Sequence, residues 1–209
     1  MIRTLLLSAA LVSLSGCISV LQQPDAPDAF YRIGPMEPMH TLNATVAIRE
    51  PEASRLFSGR SIAAEDETGA LRIVRGVQWT DNATEMMQGA LLDSLSGTGP
   101  NAALPSNSAG PAQYELNWRL SEFTLYGESA RCRLDATLLF GRTRTVVGQT
   151  SVSTTAVAIG DTNAARAKAL TDAGRACVSE LASFIAEETA RPAATAPADA
   201  PAREADPAE

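Results

Sequence analysis

Residues 114–159 carry three successive runs of alternating apolar and polar side chains, and this constrains the fold of the 209-residue chain most. Tyr114, Leu116, Trp118 and Leu120 alternate with Glu115, Asn117 and Arg119. Successive strand residues point to opposite faces, so period two means a strand with one face in a core. After Ser121-Glu122 the apolar set moves to Phe123 and Leu125. That slip of one residue predicts a β-bulge. Tyr126-Gly127-Glu128 leads into a second run, 130–140, with Cys132, Leu134 and Ala136 on the apolar side. Gly141-Arg142-Thr143 separates it from a third, 144–159. Connections this short join antiparallel neighbours, so the segment predicts a meander.

The flanking segments supply helices and further strands. Thr80, Asp81 or Asn82 can cap a helix that places Glu85 in its first turn and Met87, Leu91, Leu92 and Leu95 on one face. Gly97-Thr98-Gly99-Pro100 stops it, and 101–112 reads as loop. Asp161 or Thr162 caps a long helix over 163–189, with Leu170, Ala173, Cys177, Leu181 and Phe184 on its apolar stripe. Upstream, 30–33 reads as a short strand, 36–41 as loop, 42–49 as a strand and 51–57 as a short helix with Pro51 in its first turn. Residues 61–65 and 70–75 flank Glu67-Thr68-Gly69 as a hairpin. From the 42–49 strand onward the order β-α-β-β-α-β-β-β-α predicts one domain of helices on a mixed sheet, over 30–189.

The ends are not part of that domain. Arg3, an apolar run over 5–14 and Leu14-Ser15-Gly16-Cys17 read as a signal over 1–16, too short to span a bilayer. A cysteine at the first mature position resembles a lipobox, in which the thiol takes diacylglycerol and the new N-terminus is acylated. Several acyl chains anchor stably, since each buried methylene adds about 0.8 kcal/mol. Residues 17–29 read as a lipidated tether, and the Ala/Pro/acidic stretch 190–209 as a disordered tail. Ile18, standing where aspartate favours inner-membrane retention, points to the outer membrane.

Little in the sequence points to catalysis. Net charge is −7 and the pI about 4.8, which disfavours nucleic acid as a partner. The one histidine, His40, falls in a loop and reads as solvated. Metal-ligand spacing is missing, and Gly97-Thr98-Gly99 lacks the lysine of a phosphate loop. Glu65, Asp66 and Glu67 make a charged hairpin tip. Tyr114, Trp118, Trp79 and Phe140 read as core in preference to a lipid groove, while Tyr31, Phe57 and Trp79 stand near loop ends where a partner can bind. Cys132 and Cys177 both face the core, and a helix lying on the sheet brings them together. In an oxidising compartment they can form a disulfide; two free buried thiols are the alternative. No enzyme, metal or cofactor is expected.

Residues 30–189 resemble the ABC-type transport auxiliary lipoprotein family. The resemblance rests on the lipobox, Tyr31-Arg32-Ile33-Gly34-Pro35, the run Arg55-Leu56-Phe57-Ser58-Gly59-Arg60 before the hairpin, Val77-Gln78-Trp79, and the helix through Met87 to Leu95. Trp79-Thr80 is followed by Asp81-Asn82, where the family pattern has an Ala-Glu-Pro-like continuation. The resemblance implies a three-layer α/β/α sandwich with a mixed, largely antiparallel sheet. It also implies a non-catalytic subunit accompanying an ABC permease, an ATPase and a mammalian-cell-entry-type substrate-binding protein. Such systems move phospholipid or other hydrophobic molecules between two membranes, which would place this chain on the periplasmic side of the outer membrane. Homo-oligomerisation stays open. The alternative is a stand-alone outer-membrane lipoprotein that binds lipid or assists envelope assembly.

Overall fold

The structure is a computed structural model that describes residues 26–95, 101–108 and 110–191. Its elements are β1 (Ala29–Tyr31), β2 (Val46–Ile48), β3 (Glu52–Ala53), α1 (Arg55–Ser58), β4 (Ser61–Glu65) and β5 (Leu71–Trp79). They continue as α2 (Ala83–Ser94), β6 (Ala103–Pro105), β7 (Tyr114–Tyr126), β8 (Ser129–Phe140), β9 (Val146–Val157) and α3 (Asn163–Ala190).

Strand β7 is the spine of a curled, mixed sheet. One of its edges pairs antiparallel with β8, which pairs antiparallel with β9. Its other edge takes β2, β3 and β4 in succession, all parallel. Strand β6 adds parallel to β2, β5 antiparallel to β4, and β1 parallel to β5. The meander is as expected, and so is the bulge: Leu120 faces Leu134 but Glu122 faces Arg133, so Ser121 is the extra residue. Most of the ladder length is antiparallel, although five of the eight pairings are parallel.

Two upstream readings change. The helix expected over 51–57 is a single turn, α1, because Glu52-Ala53 pair instead with Arg119-Leu120 on the open edge of β7. The loop expected over 101–112 contains β6, which extends the sheet beyond β2. Both are short pieces recruited by unpaired backbone groups on a neighbouring strand, a demand that lies outside their own sequence.

The core lies on the concave side. Leu116, Leu120, Phe123, Leu134 and Leu138 point inward and are buried. Helix α3 fills the concavity with Leu170, Cys177, Val178, Leu181 and Ile185, all buried. Each large aliphatic contributes about 1.5–3 kcal/mol, against about 1 kcal/mol for a cap, so packing holds this helix in place. Thr162 supplies the cap, accepting from Ala165 N at 3.1 Å. Helix α2 meets α3 where Gly174 faces Met87 and Phe123. Asn82 is the N-cap residue of α2, but its side chain donates to Glu85 Oε1 at 3.0 Å and does not cap the backbone.

The third layer implied by the family resemblance is not found over β7–β9 among the described residues. The outward side chains there include Arg119, Arg133, Gln149, Ser151, Ser153 and Thr155, all exposed. A face this polar offers a second helical layer no apolar stripe to cover, so the sheet is one-sided here.

Candidate functional site

Cys17, the signal 1–16 and the tail segment 192–209 lie outside the described residues. What the structure does define is that residues 28 and 29, expected as the end of a tether, already belong to the sheet. Asp28 N donates to Gly76 O at 2.8 Å, and Ala29, Phe30 and Tyr31 then pair with Val77, Gln78 and Trp79. Gly76 has φ +76°, and a Cβ there would lie 2.5 Å from the Asp28 carboxylate. Arg175 on α3 clasps the next residues, donating from Nε to Ile33 O at 2.6 Å and from Nη2 to Pro35 O at 3.3 Å. Residues 28–35 are therefore fixed to both the sheet and the closing helix.

Cys132 and Cys177 come together as the helix-on-sheet argument expected. Cys132 stands on β8 between Phe123 of β7 and Thr154 of β9. Thr154 Oγ1 donates to Ala173 O at 2.7 Å, and Cys177 Sγ to Val152 O at 3.8 Å, which sets α3 on β9. The two thiols are buried and free, and stand close enough to perturb one another's titration. Burial, followed by the contact with Cys177, pushes the Cys132 thiol well above its ordinary value.

The side chains that could have suggested catalysis have structural partners. His40 is half-buried, with Nε2 3.2 Å from Ser183 Oγ. Ser183 donates its own hydrogen to Ser179 O, so the imidazole serves as donor here and does not draw the serine proton. Met39 N and His40 N both donate to Ser94 O, so this loop straps α2 to α3 and is not the solvated loop expected. Asp66 closes the hairpin tip, accepting from Thr68 N and Ala70 N. Its carboxyl is lowered first by the Thr68 hydroxyl. No group of three or more potential metal ligands occurs among the described residues.

The aromatics settle into the core. Trp79 stacks on Phe123 at 5.1 Å. Tyr114 meets Phe140 edge-on at 5.7 Å. Trp118 is buried and donates from Nε1 to Arg49 O at 2.7 Å. Of the three placed near loop ends, Trp79 is thus closed to a partner, and Tyr31 and Phe57 are half-buried against the core.

The sequence reading missed a polar cluster on the outer face. Asp135 accepts from Ser121 Oγ, from Ser151 Oγ at 2.5 Å, and from Arg133. The Ser121 hydrogen bond, then that of Ser151, holds its carboxyl below the ordinary value. The bulge turns Ser121 toward Asp135, and the phase slip at Ser121-Glu122 was its only sequence signal.

A single mixed α/β domain with a curled sheet and packed helices is the class of protein these features define. The sequence model of the ABC-type transport auxiliary lipoprotein component family matches residues 6–186, and the chain belongs to that family. Its fold is similar to that of protein XCC0632 from Xanthomonas campestris, with 19% identity, TM-score 0.62, and 78% of this chain and 95% of that one covered. A second crystal structure, of an uncharacterized protein, matches with 14% identity and TM-score 0.62 over 77% of this chain and 99% of that one. No curated protein matches the chain.

Proposed function

We propose that the protein is a non-catalytic subunit of an ABC-type, mammalian-cell-entry-type lipid transport system, anchored by lipid on Cys17 to the periplasmic side of the outer membrane. The observation that carries this reading is the family match over residues 6–186 in a chain whose lipobox falls at Leu14-Ser15-Gly16-Cys17. Ile18 supports the outer membrane over the inner. The domain's partners are an ABC permease, its ATPase and a substrate-binding protein of the mammalian-cell-entry type, and the molecule moved is a phospholipid or similar. Helix α3 supports this over the stand-alone lipid-binding alternative, because Leu170, Val178, Leu181 and Ile185 already occupy the concave side where an acyl chain would lie.

Crosslinking in the native host, followed by capture of a tagged copy, tests the assignment. The ATPase, the permease and the mammalian-cell-entry-type protein should be recovered and identified by mass spectrometry. Recovery of none of them, with native mass spectrometry showing lipid on a monomer, would transfer the assignment to a self-sufficient lipid-binding lipoprotein.

The periplasmic setting also bears on the thiol pair. Cys132 and Cys177 close a disulfide there: two thiols lose two protons and two electrons to the disulfide of a thiol oxidase, which is reduced to its dithiol. Closing the loop between residues 132 and 177 adds about 4 kcal/mol on the chain-entropy account.

A further inference from the structure

The large exposed apolar side chains are unevenly placed. Leu71, Glu65, Tyr126, Ser129 and Val157 form one register row across β5, β4, β7, β8 and β9. Three of these five are large, exposed apolar or aromatic residues: Leu71 at 46%, Tyr126 at 38% and Val157 at 69%. Ile73, 58% exposed, stands two rows further along β5, and Ile159, 99% exposed, follows β9 at the same end. Four strand spacings make the row about 19 Å wide. The adjoining charges are of both signs: Asp66 pairs with Arg72 at 2.9 Å, and the Arg131 guanidinium lies 4.6 Å from the Tyr126 ring.

The direction of the tether singles out the same end. Strand β1 is parallel to β5, so following the chain backward from Ala29 leads past Gly76 toward Leu71. Eleven peptide steps separate Cys17 from Asp28. Covalent geometry limits that length to about 36–40 Å. From Gly76 to the Leu71 end is about 17 Å along the strand. The opposite end, at Tyr114 and Phe140, lies about 30 Å the other way, so reaching it would consume nearly the whole tether after a reversal.

We propose that the end of the sheet bearing Leu71, Ile73, Tyr126, Val157 and Ile159 rests on the lipid surface that holds the tether. The inference rests on acylation of Cys17. Exposed apolar tips flanked by charges of both signs suit the headgroup boundary of a largely zwitterionic bilayer. Docking by this end leaves the Val146 end of the sheet turned away from the membrane, toward the periplasm.

Quenching by dibrominated phosphatidylcholine vesicles tests the orientation. Trp79 and Trp118 are 1% and 5% exposed, so an introduced tryptophan dominates the quenchable signal. With the acylated full-length chain in these vesicles, Ile159→Trp and Val157→Trp should each lose at least half their added emission. Val146→Trp, at the opposite end, should lose little. Quenching of Val146→Trp in place of the other two, or of none of the three, overturns the proposal. A chain beginning at residue 18 keeps every described residue; tethered by an N-terminal hexahistidine tag to nickel-chelating lipid, it repeats the test without acylation. If only this tagged chain floats with vesicles and is quenched at residue 159, the acylation reading falls and the docking face stands.

Discussion

Single side chains make contacts whose loss can be read directly. Gly174 sits where a Cβ would come within 3.2 Å of both Met87 Cε and Phe123 Cε2. Methionine can yield; a phenylalanine stacked on Trp79 yields less. Gly174→Leu should therefore destabilise by about 1–3 kcal/mol through overpacking, read as a lower urea midpoint with an unchanged m-value. Asp135 tests electrostatics on the opposite face. Its carboxyl is held below the ordinary value, so its stabilisation is present above that value and fades as pH falls through the lowered one. The stability gap between wild type and Asp135→Asn should then be widest near neutral pH and shrink as pH falls below the ordinary carboxylate range; a gap that does not shrink on acidification would remove the electrostatic account. The thiol pair has its own readout. Protein taken from the periplasm, unfolded in urea and alkylated without reduction should carry no label on Cys132 or Cys177, and label both after reduction; labelling of both before reduction overturns the disulfide.

At the level of elements, local chemistry and tertiary demand can be told apart. Thr162 fulfils its sequence role, and Thr162→Ala should cost about 1 kcal/mol in thermal or chemical unfolding. Asn82 does not, because Glu85 draws its amide away from the backbone. The three meander strands were legible because each has a sustained period of two, and even the slip at Ser121 was visible. Strands β3 and β6 were not legible. Glu52-Ala53 and the segment at Ala103 carry no alternation, and their pairing is imposed by open edges on β7 and β2. Thr45 to Arg49 shows the same limit from the other side: the expected strand 42–49 keeps its ladder only over Val46–Ile48, while Leu42 and Ala44 are buried outside it.

For the whole molecule, position at a membrane is the property most open to test. Cys17→Ser should abolish labelling by radiolabelled fatty acid and move the protein from the membrane fraction to the soluble periplasm. Because Cys17 precedes the described domain, the thermal unfolding of that domain should be unchanged. Retention of the variant in the membrane fraction would mean that another contact, such as the apolar end of the sheet, suffices to hold it.

The sequence by itself determined the meander with its bulge, the two main helices and a core that draws Cys132 and Cys177 to one side. These follow from local patterns, since period and capping chemistry are written in neighbouring residues. Only the tertiary structure decided that the sheet curls around α3 with one face left polar, that His40 straps two helices, and that Asp135 gathers Ser121 and Ser151. Each of these depends on strands far apart in the chain lying side by side. That adjacency is set by which edges remain unpaired when the core closes, and no local stretch of sequence records it.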